Sequence, residues 1–377
     1  MRSNQSKKIL FILYSLDAGG AENYALRFIQ FAKRVNLTFH VLSPNLSKGD
    51  LHDEFALQNC IIHYQKISYA NPLKFYQLFR LLKKEQFDVI CTFNGNFGGF
   101  PHTIARLAGV KKRIALHRRS TNAFGSHPLK RLYNQMVNRL IRYNATTILS
   151  NSRFAFDNFY ANYWEKDQRF SIIRNGLDTA LYRKHIDKKE ARQQLGLSQD
   201  TFLIGHVGRY DKAKNHTTIF KVANKLKDKI PNVRFVFAGK DTDSPVFQQK
   251  LEEYNITSLV LSYGLIKDVP LFYKSMDLFL FPSVTEGQPN ALLEAMASGL
   301  PIITSNIPPI LEVLPDILSS KMPDPLDHNA FAEIIKELYD SPQKQVEYTF
   351  RKYAIENFDG QVNFNLFLDK LVSNEEE

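Results

Sequence analysis

The stretch "LFLFPSVTEGQPNALLEAMASG", residues 278–299, spells out a strand, a turn and a helix in succession. Its opening run LFLFPS is apolar throughout and has no helical stripe, which predicts a buried strand. Gly287 permits a tight turn, and Pro289 suits the first helical position because its missing N–H costs nothing there. Strong helix formers follow as far as Gly299, a residue type that commonly ends helices. The backbone N–H groups of residues 288–291 would thus form a helix N-terminus, a favourable site for an anion such as phosphate.

Strand-like runs of this kind recur along the whole chain, with helical stretches between them. This alternation predicts parallel sheets with helices on both faces, and 377 residues are enough for two such domains. The predicted strands span residues 8–13, 37–43, 61–65, 88–93, 112–117, 146–152, 170–176, 202–208, 233–239, 259–264, 278–283 and 301–306.

We therefore predict an α/β protein with two Rossmann-like, doubly wound domains that face each other across a cleft. The first domain would span residues 1–182 and the second residues 183–355, followed by a C-terminal helix over 356–377 that packs back on the first domain. The polar stretch 178–194 is the predicted linker. Ligands of such sheets bind at the carboxyl ends of the strands, so the cleft is the expected site.

The composition indicates a cytoplasmic protein. Hydrophobic residues make up 44% of the chain and charged residues 23%, as in ordinary globular proteins. The two cysteines, Cys60 and Cys91, are too few for a disulfide framework and are interpreted as reduced thiols. The apolar N-terminal run is interpreted as the first strand rather than a signal peptide. No apolar run approaches the roughly 20 residues that span a bilayer, so any membrane contact would be peripheral.

Positive charge is concentrated in the window Val89–Phe156, which contains no Asp or Glu. Its Lys and Arg residues account for the whole net charge of +11. The window is either a solvated basic face or a surface for an anionic partner, such as a phosphate-bearing substrate or a membrane. Nucleic acid is the weakest of the possible anionic partners because no zinc-finger, helix-turn-helix or RNA-binding motif is present, and no nucleic-acid partner is predicted.

Within this window, residues 127–144 predict an amphipathic helix with bases beside an apolar stripe. The stripe consists of Leu129, Leu132, Met136, Val137, Leu140 and Ile141. We hypothesise that the basic side lies against the inner face of the cell membrane; the alternative is that the stripe packs on the sheet and the charge only solubilises. The residues assigned to an acceptor or membrane face are Arg118, Arg119, Lys130, Arg131, Arg139 and Arg142.

Three groups of residues carry chemistry. Glu286 and Glu294 flank the predicted helix start, and a carboxylate there can accept bonds from sugar hydroxyls. In "HVGRYDKAKNH" (206–216), Arg209 and Lys214 follow a strand and can neutralise a diphosphate. The Gly pair of "SLDAGGAEN" (15–23) allows close approach of the backbone to a ligand, although it is not the dinucleotide fingerprint.

Together "GGAE" (19–22), "RNGLD" (174–178), "GRYDKAKN" (208–215) and "EGQPNALLEAMASGLPIITS" (286–305) resemble the retaining glycosyltransferases of family 4. The resemblance covers residues 8 to about 306 in the same order. It implies the GT-B architecture of two Rossmann-like domains. It also implies a nucleotide-diphosphate sugar held by the C-terminal domain and an acceptor held by the N-terminal one.

Carried over by motif, the resemblance assigns the diphosphate to Arg209 and Lys214 and the ribose to Glu294. Glu286 and the helix start would contact the transferred sugar. His117, which ends a predicted strand, would lie near the reacting centre, although Arg118 follows it where the family often has Asp. The implied catalytic residues are His117, Arg209, Lys214 and Glu286. The implied donor-binding residues are Gly19, Gly20, Asn175, Gly208, Arg209, Lys214, Leu265, Gln288, Pro289, Asn290, Ala291 and Glu294.

No essential metal or other cofactor is predicted. "DTD" (241–243) has the Asp-x-Asp form by which another glycosyltransferase fold holds a divalent cation, but these are also common turn residues. The predicted activity is transfer of a hexose from a nucleotide-diphosphate sugar, with UDP as the favoured nucleotide, to a glycan or lipid-linked glycan in bacterial surface-polysaccharide synthesis. The alternatives are an epimerase or hydrolase on the same fold, which product analysis would identify, and a non-catalytic sugar-nucleotide-binding partner subunit.

Overall fold

The structure is a computed structural model that describes residues 6–67, 71–93, 95–118, 128–183 and 186–373. The chain divides into two compact units, one of Met1–Asn175 with Gln361–Glu377 and one of Gly176–Gly360. Each unit is built on one parallel sheet, as the alternating pattern predicts. The boundary predicted after residue 182 instead lies inside the second unit.

The sheet of the first unit has seven parallel strands in the order β3-β2-β1-β4-β5-β6-β7. Both faces of β1 are buried, because Ile9 and Phe11 enter one apolar cluster while Leu10 and Ile12 enter another. The strands are β1 Lys7–Ile12, β2 Leu37–Ser43, β3 Ile61–Tyr64, β4 Val89–Thr92, β5 Lys112–His117, β6 Thr147–Ser150 and β7 Phe170–Ile172. The helices are α1 Gly20–Ala32, α2 His52–Leu57, α3 Pro72–Glu85, α4 Gly95–Leu107, α5 Pro128–Asn144 and α6 Arg153–Tyr160.

The second unit has five parallel strands in the order β10-β9-β8-β11-β12. They are β8 Phe202–Val207, β9 Val233–Ala238, β10 Val260–Ser262, β11 Leu278–Phe281 and β12 Ile302–Thr304. Its helices are α7 Thr179–Arg183, α8 Lys188–Gln194, α9 His216–Leu226, α10 Pro245–Glu253, α11 Val269–Ser275, α12 Asn290–Ser298, α13 Pro308–Leu311, α14 Asp316–Ser319, α15 His328–Asp340 and α16 Arg351–Asn357. Short 3₁₀ helices cover Trp164–Lys166, Lys212–Lys214, Thr257–Leu259 and Pro342–Tyr348.

The last helix, α17 (Gly360–Val372), belongs to the first unit although it follows the second in the chain. It starts later than the predicted residue 356 and buries its apolar side in the core beneath α1. The ring centroids of Phe367 and Phe28 are 4.6 Å apart, and those of Phe364 and Tyr24 are 5.3 Å apart. The first unit therefore takes part of its core from the far end of the sequence.

The prediction of a linker over 178–194 was wrong, since helices α7 and α8 lie within it. An ion pair, rather than an apolar stripe, anchors α8. The Arg192 side chain is only 4% exposed and its Nη2 lies 2.5 Å from Oδ2 of Asp277. Its Nε also donates to the Ser275 carbonyl at 2.9 Å. A polar sequence is thus compatible with a docked helix when a buried charge is fully paired.

Within the described residues, none of the helices combines the length and apolar character needed to cross a membrane. Cys91 is buried and Cys60 is half-buried, and both are free thiols.

Candidate active site

The predicted donor loops leave the second sheet at its switch point. The chain runs outward from β8 through β9 to β10, then returns to build β11 and β12 on the other side of β8. Ligands bind at such points, beyond the carboxyl ends of the two central strands. The loop after β8 contains Arg209 and Lys214, and the loop after β11 contains Glu286. A hydrogen bond of 2.9 Å from the Val284 amide to the Ala213 carbonyl joins the two loops.

Lys214 and Glu286, separated by 71 residues of sequence, form an ion pair at this edge. Nζ of Lys214 lies 2.6 Å from Oε1 of Glu286, and the two side chains are 18% and 10% exposed. The ammonium also lies 4.9 Å from the ring centroid of Phe281, the last residue of β11. The structure thus brings together two of the four predicted catalytic residues, in a largely desolvated pair.

The loop that carries both cations is rigidly built. Asp211 caps the 3₁₀ turn by accepting from the amides of Ala213 and Lys214. Asn215 then adopts a left-handed conformation with φ 53°. The Arg209 side chain is 62% exposed, and its Nε donates to Asp211 Oδ2 at 2.6 Å. Arg209 therefore presents an exposed guanidinium held within its own loop.

Gly208 has a steric reason to be glycine. A Cβ at this position would lie 3.0 Å from His206 Nε2 and 3.2 Å from two carbons of the Lys214 side chain. Any side chain there would displace the aliphatic stem of the lysine. Gly208 therefore fixes where the Lys214 ammonium can lie.

Helix α12 begins at Asn290, one residue later than predicted, with Pro289 as its N-cap. Pro289 and Gln288 are buried, while Asn290 and Ala291 are half-buried. The helix ends at Gly299 in the left-handed conformation, with φ 82°, as the sequence predicts. Its first turn follows Glu286 directly, so the positive end of the helix dipole lies beside the ion pair.

Tyr273 of α11, which was not among the predicted site residues, contacts Glu294. The fully buried hydroxyl of Tyr273 donates to the Ala291 carbonyl at 3.0 Å and to Glu294 Oε2 at 3.2 Å. Burial raises the pKa of the Tyr273 phenol well above its usual value, and the Glu294 charge raises it further, so the group remains a donor. Tyr273 thereby orients the carboxylate assigned to the ribose. The sequence gives no signal for it, because a tyrosine on a buried helix face is ordinarily core.

Leu265 and Asn175, two of the predicted donor residues, lie outside the two loops and α12. Leu265 follows β10 in the second unit and is 67% exposed. Asn175 belongs to the first unit, where it is buried and its Oδ1 accepts from Asn151 Nδ2 at 3.4 Å. Their assignment to the donor remains a prediction.

In the first unit, the Gly pair starts α1 just after β1. A Cβ on Gly19 would lie 2.4 Å from Oε2 of Glu22, so the missing side chain leaves room for that carboxylate. Gly20 is exposed, and a Cβ on it would meet no atom within 4 Å. Nothing within the unit therefore requires glycine at position 20, which leaves room for a ligand there.

His117, at the carboxyl end of β5, is buried. It is 1% exposed, and its Nε2 lies 3.1 Å from the hydroxyl of Tyr160. Burial lowers the pKa of His117 to about 4, so its ring is neutral at pH 7. A Cβ on Gly95 would come within 2.0 Å of the ring, so the backbone of α4 closes over it. A catalytic role for His117 remains a prediction.

The predicted basic face does not form one surface. The guanidinium carbon of Arg118 lies 3.9 Å from the ring centroid of Tyr24, and that of Arg142 lies 3.7 Å from the ring centroid of Tyr163. Arg119 lies outside the described residues. The exposed bases of α5 are Lys130, Arg131 and Arg139.

The predicted apolar stripe of α5 divides in two. Val137 and Ile141 are fully buried, whereas Leu129, Leu132 and Met136 are 71%, 62% and 39% exposed. The sequence pattern does not distinguish the buried from the exposed members of the stripe, because residues at helical spacing share a face whether or not that face is covered.

The "DTD" turn has a structural explanation. Asp241 has a left-handed φ of 66°, Thr242 is buried, and the Asp243 carboxylate lies against Gly264. Among the residues that the structure describes, no group of three His, Cys, Asp or Glu side chains is placed to hold a metal ion. Metal independence stays a prediction.

Comparison with known proteins matches both halves of the chain. The family described as "Glycosyl transferases group 1" matches residues 187–357, and "Glycosyltransferase Family 4" matches residues 18–181. The chain is 28% identical over 339 residues to the capsular polysaccharide biosynthesis glycosyltransferase CapH of Staphylococcus aureus, covering 88% of this chain and 90% of that one.

It is also 26% identical over 316 residues to a Campylobacter jejuni enzyme, with 80% and 81% covered. That enzyme is an N-acetylgalactosamine-N,N'-diacetylbacillosaminyl-diphospho-undecaprenol 4-alpha-N-acetylgalactosaminyltransferase. The crystal structure of Anabaena HepE in complex with UDP has a TM-score of 0.81 at 19% identity, covering 97% of this chain and all of that one. This last likeness concerns the fold.

Proposed function

The chain belongs to the group 1, family 4 glycosyltransferases, and from this premise we propose that it transfers a sugar from a UDP-sugar to a lipid-linked glycan. The transfer would retain the anomeric configuration and need no metal ion. The observation that carries the proposal is the paired Lys214 and Glu286 at the switch point of the second sheet, beside the first turn of α12. The relatives named above, one of which acts on a diphospho-undecaprenol acceptor, support the choice of acceptor.

In this proposal the leaving diphosphate is stabilised by fixed positive charge. Lys214 supplies a point charge, Arg209 an exposed fork, and the N-terminus of α12 its backbone amides. Such preorganised groups act on the charge that develops as the sugar–phosphate bond breaks. They would supply what a divalent cation supplies in other sugar transferases, hence the proposed metal independence.

The carboxylates have separate roles. Glu294, held by Tyr273, would accept from the ribose diol, while Glu286 would contact the transferred sugar. Retention requires that the acceptor attack on the face from which the diphosphate departs. Cations that hold the departing diphosphate close to the sugar favour this geometry. The diphosphate oxygen that leaves the sugar can then accept the proton of the incoming acceptor hydroxyl.

The test is a transfer assay with a panel of nucleotide sugars, with and without a diphosphate-linked glycan acceptor and with excess chelator. We expect turnover with a UDP-sugar, an unchanged anomeric configuration by NMR, and no effect of chelation. Arg209→Ala or Lys214→Ala should lower kcat by about 10²-fold or more. Glu253→Gln, an exposed change on α10 in the same unit, is the matched control. An inverted product, or strict dependence on Mn²⁺ or Mg²⁺, would contradict the proposal.

The proposal extends to the membrane surface. The exposed Leu129, Leu132 and Met136 recur at helical spacing on α5, beside the exposed bases of the same helix. Apolar side chains that enter the interface and bases that meet anionic lipid headgroups act together, each base contributing about 1 kcal/mol. This face would hold the enzyme at the leaflet where a lipid-linked acceptor lies.

Vesicle sedimentation tests this part. Binding to anionic vesicles should exceed binding to neutral ones, weaken with salt, and fall in the Lys130→Gln/Arg131→Gln double variant. The control is Lys221→Gln/Lys225→Gln, which removes two exposed bases from α9 in the second unit. Equal sedimentation with neutral and anionic vesicles would refute the membrane role and leave the transferase activity untouched.

A further inference from the structure

Two arginines of the first unit have buried N–H groups that find no acceptor among the residues that the structure describes. Arg118 follows His117 at the carboxyl end of β5 and stacks on Tyr24 of α1. Among the described residues, Nε and Nη1 of Arg118 and Nε of Arg27 are buried without a hydrogen-bond partner. Buried N–H groups are almost always paired, so three orphans at one place require an explanation.

The two guanidiniums lie close enough to influence each other. Arg27 is three residues after Tyr24 on α1, so both side chains lie on the same face of the helix. Burial, above all, and the charge of Arg27 lower the pKa of Arg118 to about 10, which still leaves Arg118 protonated at pH 7. The pair therefore places two interacting positive charges in a partly desolvated site.

One carboxylate is near but does not complete the site. The charge of Glu22 favours the protonated form of Arg118. However, Glu22 turns back over the start of its own helix, where its Oε2 would lie 2.4 Å from a Cβ on Gly19. With one carboxylate and two guanidiniums, the cluster retains an excess positive charge.

The chemistry and the place indicate the missing partner. A guanidinium presents a planar fork of N–H groups that matches phosphate oxygens, and two adjacent forks match two phosphoryl groups. Arg118 directly follows the last residue of β5, and Arg27 lies on α1. The carboxyl ends of parallel strands are where ligands of such sheets bind.

We propose that Arg27 and Arg118 bind the diphosphate group of the acceptor, between its lipid and its glycan. This inference rests on the proposed function in one respect, namely that the acceptor is a diphosphate-linked lipid. It assigns the pair a binding role: the two arginines fix the acceptor while its terminal hydroxyl attacks the donor.

The experiment compares two acceptors with the same glycan, one on a short-chain alkyl diphosphate and one on a neutral alkyl glycoside. Arg27→Gln and Arg118→Gln should each raise KM for the diphosphate acceptor tenfold or more, while KM for the neutral acceptor and the donor changes less than twofold. Arg27→Lys should recover part of the loss, because it restores the charge without the fork. The control is Arg34→Gln. Arg34 lies just beyond the end of α1, where its guanidinium packs over the Phe31 ring and donates to the Asn365 side chain.

Binding of inorganic pyrophosphate to the UDP-saturated protein separates this inference from the proposed function. The wild-type protein should bind it at a second site, and Arg27→Gln should lose that site even if no acceptor is used. Failure of transfer with retained pyrophosphate binding would count against the proposed function alone. Equal losses on both acceptors, or no pyrophosphate binding by the UDP-saturated wild type, would overturn the inference. If Arg118→Gln does not fold, the half-exposed Arg27 carries the test by itself.

Discussion

Replacement of Glu286 by Gln should tighten the binding of UDP while it slows sugar transfer. Lys214 is engaged by Glu286, with 2.6 Å between Nζ and Oε1. A diphosphate that recruits Lys214 must compete with that carboxylate. The amide keeps the size and one acceptor oxygen of the acid but lacks its charge.

The size of the effect follows from the kind of bond that is weakened. The amide oxygen still accepts from the charged ammonium, so the bond remains charge-assisted and only the attraction between the two opposite charges is lost. For this pair, whose side chains are 18% and 10% exposed, the exchange should free about 1 kcal/mol, or roughly fivefold in the dissociation constant of UDP. Transfer should be slower because the amide no longer balances charge beside the reacting sugar.

Isothermal titration of UDP into three variants measures this directly. Glu286→Gln should bind more tightly than wild type, Glu294→Gln more weakly because it loses a ribose acceptor, and Glu253→Gln equally. The opposite signs for two acids eight residues apart make the test specific. Unchanged or weaker binding of UDP by Glu286→Gln would refute the idea that this carboxylate competes for Lys214.

Other expectations concern the same two units. Tyr273→Phe should raise KM for the donor about tenfold or more, since the lost hydrogen bond is to a charged group. It should also reduce the preference for ribonucleotide over 2'-deoxyribonucleotide donors, and an unchanged preference would show that Tyr273 does not orient Glu294. Asp241→Asn with Asp243→Asn should leave activity within about twofold in excess chelator, and rescue of a chelated enzyme by Mn²⁺ would contradict this. Because burial lowers the pKa of His117 to about 4, the unfolded chain binds the extra proton first, and stability falls as pH drops from about 6.5 through 4. Urea unfolding should show this slope, and His117→Gln should reduce the total loss over this pH range by up to about 3 kcal/mol. The remaining slope comes from His40, His102 and His216, whose pKa values burial also lowers, and equal slopes in both proteins would refute the contribution of His117.

The sequence was sufficient for the sheets and for the loops at their ends. Each predicted strand has a counterpart in the structure. The central strands are the clearest, because strands buried on both faces are rich in apolar residues. The apolar run 278–283 places Glu286 in the loop after β11. Because β11 and β8 are neighbours in the sheet, Glu286 must lie near the loop that follows β8. The ion pair with Lys214 is a consequence of that topology rather than of any spacing in the sequence.

What could not be predicted depends on individual side chains and on contacts made far along the chain. Nothing in the pattern marks Tyr273 as a partner of Glu294, since its ring alone would justify its burial. Nor does the polar segment before β8 reveal that Arg192 pairs with Asp277. The exposure of Leu129, Leu132 and Met136 on α5 could not be predicted. Periodicity indicates which residues share a face of a helix but not how much of that face is covered.

The position of α17 also constrains the order in which the protein matures on the ribosome. The whole second unit, Gly176–Gly360, is translated between the bulk of the first unit and the helix that completes its core. At about 5–20 residues per second this interval lasts roughly 10 to 40 seconds. During that time the nascent first unit carries Phe28 and Tyr24 without the rings that later cover them, a period in which chaperone capture competes with aggregation. The second unit, whose core is continuous in sequence, can therefore finish folding before the first.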